Sequence, residues 1–573
     1  MKKLFLFAIG GTGERVLRST TMLLAAGVPA FNGYDIYPII IDYDAANKDK
    51  DRTRDILKQY QKINRIAYAN HPLSSMPQDD QNMGQFFGCT MKEMNGLNDF
   101  VLDFNPGKTN LTFRNKIGFD QMKGNLLPTH SLIESLYDTS DEPTTELNLD
   151  LTVGFKGNPN IGSVIFHKLS DYNEYDAFVS TYNADQEDKV VIIGSLFGGT
   201  GASGIPVLAQ QIKKDIPNVD MAALMIQPYF APEIVKGGAI NAKLFDSKTK
   251  AALNFYERSG IKNSMRAVYH IGDPYPTIIK YCEGGAGQQN NANPVEFISA
   301  LAIAHYCGDM VPAGTFGNEY MYGLSRDIVS KVDKTGKQDS CRLFADDFDQ
   351  QTKDNVLKYL TAFAYALKYH HTDVVGDKLK KEKTFLAILD YENIKSDVQN
   401  HKLSINGKNK LQDLLIYLND YVEVFTRWLS ELDYEGDDNL HIQPNSHRLA
   451  FFDFGKEISD MIEKPQEKAK ESKLSWSKVG NFIGGDSSNV NITPLMSSNL
   501  KDRKHLDETG KKMNTKEKEF VFMDILRASC LEIVNKKSTI SLCQICIFLV
   551  SAIILTLQGI MVSFRETMLM VPR

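Results

Sequence analysis

A chain of 573 residues exceeds what one ordinary core accommodates, and at roughly 150 residues per domain it predicts about four units. Hydrophobic residues make up 42% and charged residues 24%, which excludes wholesale disorder, a collagen-like chain and a multi-span membrane protein. Lys+Arg 65 against Asp+Glu 71 leaves a net charge of −6, so the charge balance points to no nucleic-acid partner. Seven cysteines are too few and too scattered for a disulfide framework and predict a reducing, cytoplasmic setting.

The apolar run 4–9 after Met1-Lys2-Lys3 is too short for a signal-peptide core and leads into Gly10-Gly11-Thr12-Gly13. It therefore predicts a first strand, with a helix over 14–26. A second strand is predicted at 37–42 and a helix at 53–64. After an irregular insertion over 67–183 come a strand at 190–193, a Gly-rich turn and a helix at 204–214. The pattern closes with a strand at 221–227, a helix at 246–258 and a strand at 267–271. Strands alternating with helices imply β-α-β units and a doubly wound parallel sheet.

From residue 293 the pattern turns helical, with Pro294 in a first turn and Phe297, Leu301 and His305 along one face. Amphipathic helices are predicted at 350–371, 410–433 and 455–472, and a polar, charged linker over 464–521. His370-His371 ends one of these helices, where cations favour the dipole. Residues 538–564 carry no charge, long enough at about 1.5 Å per residue to cross a hydrocarbon core of about 30 Å. Lys536, Lys537 and Arg565 flank the run and bias the N-terminal bulk to the cytoplasm, a tether to the inner membrane. The other reading of the run is a core helix, since Gln544 and Gln558 interrupt it.

These patterns divide the chain into an α/β nucleotide-binding domain (1–312), a helical second domain (313–463), a charged linker and helix (464–530) and a candidate transmembrane segment (538–564).

The strongest local signal is Gly194-Ser195-Leu196-Phe197-Gly198-Gly199-Thr200-Gly201-Ala202-Ser203-Gly204, between a strand and a helix. Glycines admit a phosphate close to the backbone, successive N–H groups form an anion nest, and the helix N-terminus adds its positive end. No Lys follows these glycines, so a P-loop is excluded. The earlier turn offers Gly11-x-Gly13, but Val16 replaces the third glycine of a dinucleotide fingerprint, and Asp42 lies about thirty rather than about twenty residues on. Two Gly-rich turns in one domain suggest two loops closing on one polyphosphate.

Phe197 to Gly204 resembles the glycine signature GGGTG[ST]G of the tubulin/FtsZ superfamily, with Phe197 ahead of two of its three glycines and Ala202 where Ser or Thr is usual. Gly157-Asn158-Pro159-Asn160-Ile161-Gly162 resembles the loop G-x-N-P-x-x-G that faces the terminal phosphate. Residues 39–47 (IIIDYDAAN) resemble the loop near the metal, and residues 225–233 (MIQPYFAPE) the strand and ribose-side loop, ending at Glu233. Asn293-Pro294-Val295-Glu296 matches the start of the central helix, where the superfamily reads guanine. SLFGGTGASGIP, FDSKTKAALNFYE and GGAGQQNNANPVEF are similar to bacterial tubulin-like proteins. The resemblance covers about residues 1–310.

The resemblance implies a tubulin/FtsZ-like α/β domain with a parallel sheet and a central helix, followed by a mainly helical C-terminal region. It implies GTP/GDP with Mg²⁺ as ligands and head-to-tail self-association into filaments. Gly10, Gly11, Thr12 and Gly13 would cradle the α/β-phosphates; Gly198, Gly199, Thr200, Gly201, Ala202 and Ser203 would take the β/γ end. Asn158 and Gly162 would close over the γ-phosphate, Asp42 or Asp44 would hold Mg²⁺ through water, and Asn293 would read the base or simply cap its helix. The superfamily completes hydrolysis in trans with an acidic loop N-x-D-x-x-D after the central helix. No such string follows residue 310, and the nearest acidic cluster holds Asp346 and Asp347, with Asp309 and Asp327 as further candidates. Two alternatives stay open: a non-hydrolysing nucleotide-binding scaffold or sensor, and a Rossmann-type NAD-dependent oxidoreductase.

Overall fold

The computed structural model describes residues 1–68, 84–102, 112–137, 146–323, 341–343, 349–375, 391–433, 447–449, 492–499 and 518–535, less residues 45, 123–125, 153, 237–239, 241, 274–275, 283, 289, 493–494 and 497. Six strands form one all-parallel sheet: β1 (Lys2–Ile9), β2 (Tyr34–Ile41), β3 (Lys189–Ser195), β4 (Asp220–Ile226), β5 (Ala267–Gly272) and β6 (Asn318–Gly323). Their spatial order is β2-β1-β3-β4-β5-β6. β1 lies between β2 and β3, with Phe5 paired to Tyr37 on one side and Val190 on the other. The chain thus reverses its winding between β1 and β3, which makes the crevice at their carboxyl ends the switch point where open α/β sheets take ligands.

A sheet covered on both faces needs strands that are apolar throughout, and β1 meets that demand. Leu4, Leu6 and Ala8 pack in the core on one face; Phe5, Phe7 and Ile9 pack in the core on the other. The first face is covered by α1 (Gly10–Ala25), α2 (Lys48–Tyr68) and α7 (Pro294–Cys307). The second is covered by α3 (Pro159–Phe166), α4 (Asn173–Thr181), α5 (Gly199–Asp215) and α6 (Phe245–Ser259). Further helices follow: α8 (Lys358–Tyr369), α9 (Tyr391–Gln399) and α10 (Lys410–Leu432). α10 packs back on α1 and α7: Trp428 Nε1 donates to Ser19 Oγ at 3.1 Å, and its ring lies 6.0 Å from that of Phe297.

Every strand and helix expected over the first 310 residues is present. α1 and α5 begin four and five residues earlier than the apolar spacing indicated, at Gly10 and Gly199, because both glycine turns are themselves helix first turns. Strand β6 and α9 were not expected; the helix over 518–535 is the one expected with the charged linker, and it runs five residues past 530. The insertion carries α3 and α4 rather than loop alone. No helix among the described residues is long and apolar enough to cross a membrane. The expected helix at 455–472 and the apolar run 538–564 lie outside the described residues.

Candidate functional site

Three neighbouring strands deliver chain to one edge of the sheet: β1 runs directly into Gly10, β2 into Asp42, and β3 through Leu196 and Phe197 into Gly198. A cleft opens there, with about 970 Å³ of free space including its solvent-open part. Gly10, Gly11 and Thr12 line it, as do Gly198, Gly199, Thr200 and Gly201.

The two glycine turns touch each other. A Cβ on Gly10, whose φ is +68°, would lie 3.2 Å from Thr200 Cβ; the left-handed backbone and the close approach both select glycine. The third loop, 154–158, closes on the second turn. A Cβ on Gly199 would sit 3.0 Å from the backbone nitrogen of Asn158 and 3.1 Å from that of Gly157. The loop is anchored by Lys248 of α6, whose Nζ donates to the Gly157 carbonyl at 2.7 Å, and burial lowers the lysine's pKa.

Both helices that start at the cleft lack a side-chain cap: the residue before α1 is Ile9 and the residue before α5 is Gly198. Their first-turn N–H groups need acceptors, and the dipoles add positive potential at the same place. Side-chain donors join them. A Cβ on Gly11 would lie 3.0 Å from Gln288 Nε2, 3.4 Å from Arg15 Nη1 and 3.6 Å from Asn47 Nδ2. Arg15 is fully enclosed; burial opposes its charge, but Glu296 (Nε to Oε1, 2.8 Å) and Asp49 (Nη1 to Oδ2, 3.3 Å) outweigh that and keep it protonated. The uncapped backbone N–H groups of the two helix starts, with Gln288 beside them, form the part of this end that suits an anion.

Asp42 and Asp44 also line the cleft. Asp42 accepts from the Asp44 backbone (3.1 Å) and from Asn47 Nδ2 (2.9 Å); Asp44 accepts from Ala46 (3.0 Å) and Gly285 (2.6 Å) backbones. Burial raises the Asp44 pKa, partly countered by the Gly285 N–H. Deeper lies Glu14, 0% exposed, whose pKa burial and then the Asp42 carboxylate push well above the ordinary range. Among the described residues no group of three His, Cys, Asp or Glu side chains could hold a metal unaided.

The opposite half of the cleft is apolar: Phe197, Phe230, Pro232, Ile240, Phe245 and Ile279. The rings of Phe197 and Phe245 lie 4.9 Å apart, and those of Phe197 and Phe230 5.3 Å apart. A donor-rich end beside an aromatic end matches a ligand with an anionic part and a flat apolar part.

The remaining expected residues sit behind this lining or beyond it. A Cβ on Gly13 would meet Ala8 at 2.7 Å, so it serves helix–strand packing. Gly162 packs on Ser203 of α5, and Ser203 Oγ turns back to the Gly199 carbonyl at 2.7 Å. The Ala202 carbonyl accepts from Tyr256. Asn158 precedes α3 without lining the cleft, although its backbone nitrogen abuts Gly199. Glu233 is exposed and outside the lining, its backbone bonded to Ile279. Asn293 caps α7 in a reciprocal capping box with Glu296, and its amide nitrogen bonds Thr277 at 3.4 Å. Asp346, Asp347 and Asp327 lie outside the described residues.

Sequence reading missed Arg15, Asn47, Gln288 and Asn290. Arg15 and Asn47 sit within or beside quoted motifs, and that adjacency was the available signal. Comparison of the chain with protein-family models and with curated proteins finds no match to either.

Proposed function

We propose that the chain binds a guanine nucleotide in this cleft and acts as a tubulin/FtsZ-like GTPase that associates head to tail. The observation that carries the reading is the meeting of three glycine-bearing loops, 10–12, 198–201 and 154–158, at the switch point of a parallel sheet. The uncapped first turns of α1 and α5 would hold phosphate oxygens through backbone N–H groups. The aromatic half would take the base, and Gln288 and Asn290 offer amides for its polar edge. Asp42 and Asp44 suit Mg²⁺ that arrives with the nucleotide, since that ion keeps its waters and needs only one or two carboxylates beside phosphate. When bound, the ion would neutralise charge on the phosphates.

Head-to-tail assembly needs a complementary group at the opposite edge of the sheet. α7 runs from Asn293 near the cleft to that edge, where the Tyr306 carbonyl accepts from Lys189 at the first residue of β3. Asp309 follows at once. Its side chain is 67% exposed and bonds Lys189 Nζ at 2.6 Å, which makes it our candidate for the acid that would meet the cleft of a neighbouring copy. It joins Asp346 and Asp347, which the sequence alone nominates, as a candidate for the acid that would position water.

The missing N-x-D-x-x-D favours the non-hydrolysing scaffold as the second reading. Asp42 at the end of β2 favours a dinucleotide, because such folds place a ribose-binding acid there. A membrane tether through 538–564 remains a proposal from the sequence. The deciding experiment measures GTP binding and turnover against protein concentration, with ATP and NAD as comparators. Turnover per subunit rising above a threshold concentration supports a site completed in trans; binding with flat, negligible turnover supports the scaffold. NAD binding without GTP binding supports the oxidoreductase, and no nucleotide binding overturns all three.

A further inference from the structure

The loop between β5 and α7 is held in an unusual way. Of its N–H groups, that of Gln288 reaches the loop's own Gly285 carbonyl (3.1 Å), but four others go to carboxylates from elsewhere in the chain or the next helix. Gly285 N donates to Asp44 (2.6 Å), Asn290 N to Asp49 (3.2 Å), Ala292 N to Glu431 (2.9 Å) and Asn293 N to Glu296 (3.1 Å). Asn290 adds its Nδ2 to the other Asp49 oxygen at 3.2 Å. A segment rich in glycine has little stiffness of its own, so these acids set its position.

Glu431 stands out among them because it comes from the last turn of α10, far along the chain, and is buried. Burial works against its carboxylate, but Arg52 and Arg427 hold its pKa below the ordinary range. Arg52 grips both oxygens, Nη1 to Oε1 and Nη2 to Oε2, each at 2.9 Å, and Arg427 Nε meets Oε1 at 2.9 Å. Arg52 belongs to α2, which also carries Asp49. One helix therefore fixes the loop twice, directly through Asp49 and indirectly through Arg52 and Glu431. On the cleft side the same loop presents Gln288 and Asn290.

We propose that Glu431 is a positioning residue for the cleft: through the Ala292 N–H it sets the loop that presents Gln288 and Asn290, and so links ligand binding to α10. This rests on the reading of the cleft as a nucleotide site. Coupling of this kind is reciprocal, so nucleotide that engages the loop must also tighten the end of α10. Removing the carboxylate leaves a buried N–H and the Arg52 guanidinium without their acceptor, and the loop loses its register against the ligand.

The test uses the full chain with GTP and GDP as probes. Hydrogen exchange of wild-type protein should show the amides of 425–432 better protected at saturating GTP. Glu431→Ala should weaken GTP binding about tenfold or more, the scale of a hydrogen bond to a charged group, and abolish the change in exchange. Glu431→Gln keeps an acceptor and should restore most of the affinity. Arg427→Ala, which touches Glu431 but not the loop, should bind within about twofold of wild type. Glu431→Ala that binds GTP as wild type does, or exchange at 425–432 that ignores GTP in the wild type, overturns the proposal. The exchange arm holds even where Glu431→Ala fails to fold. Wild-type protein that binds no nucleotide overturns the cleft reading itself, and the positioning role falls with it.

Discussion

Arg15 Nε donates to Glu296 Oε1 at 2.8 Å, between two side chains that are at most 2% exposed, one from α1 and the other from α7. Tyr229 OH bonds the same Glu296 oxygen at 2.8 Å and accepts from Arg15 Nη2 at 2.8 Å, closing a three-membered network beside the cleft. Charges taken out of water this completely stabilise a fold only while every partner is in place. Arg15→Met leaves Glu296 and Asp49 buried without their cation and is expected to cost about 3–5 kcal/mol, read by urea unfolding. The double variant Arg15→Met with Glu296→Gln should recover part of that loss, because one orphaned charge is gone. A full loss in both would place the effect in packing rather than charge.

Gly199 gives a cleaner separation of site from fold. Its missing Cβ leaves room for the nitrogens of Gly157 and Asn158 at 3.0–3.1 Å. Gly199→Val is expected to push the 154–158 loop outward and lower GTP affinity at least about tenfold, while the melting temperature falls by only a few degrees. Gly10→Ala acts through the backbone instead. At φ +68° an L-residue costs about 1–2 kcal/mol, so unfolding should register it as well as binding. Calorimetry with GTP, paired with thermal melts, distinguishes the two.

The strand–helix alternation and both glycine turns were legible because each depends on local pattern: apolar runs such as 4–9 and 190–193, then glycine. The donor cluster of Arg15, Asn47 and Gln288 was not, because its members come from three separated segments and meet only when α1, the loop after β2 and the loop before α7 are stacked. β6 escaped because NEYMYG alternates polar and aromatic residues only weakly at the open edge of the sheet. Asn293 illustrates the reverse case. Its sequence context supports a helix cap and a base contact equally, and the geometry gives its side chain to Val295 and Thr277.

His370 predicts how the helical region responds to acid. It is fully buried, its Nε2–H donates to the Leu415 carbonyl at 2.8 Å, and Nδ1 has no partner among the described residues. Burial lowers its pKa from 6.5 to about 3. The folded state thus prefers the neutral ring. Its contribution is complete above the unfolded value and is lost as pH falls from about 6.5 towards about 3. A shift of that size is on the order of 5 kcal/mol at most. Urea unfolding at pH 7, 5.5 and 4.5, followed by fluorescence of the buried Trp428, should show stability falling. His370→Gln, which keeps a donor for Leu415, should flatten that slope while lowering stability at pH 7.

Asp309 offers the test of assembly, since its side chain is largely exposed although it bonds the buried Lys189 Nζ. Asp309→Asn keeps an oxygen for Lys189 but removes the opposing charge, so urea unfolding should show a loss of about 1–3 kcal/mol, against which turnover is read on folded protein. If Asp309 completes a neighbour's site, Asp309→Asn should bind GTP with wild-type affinity yet lose turnover at every protein concentration. Mixing it with Gly199→Val, whose own cleft is closed but whose Asp309 is intact, should then restore turnover. Each active site would pair an Asp309→Asn cleft with the acid of a Gly199→Val neighbour. Unchanged turnover in Asp309→Asn alone assigns the acid to another residue. Lost turnover with no recovery on mixing shows that Asp309 acts within its own subunit, through Lys189 and the start of β3, and not across a filament contact.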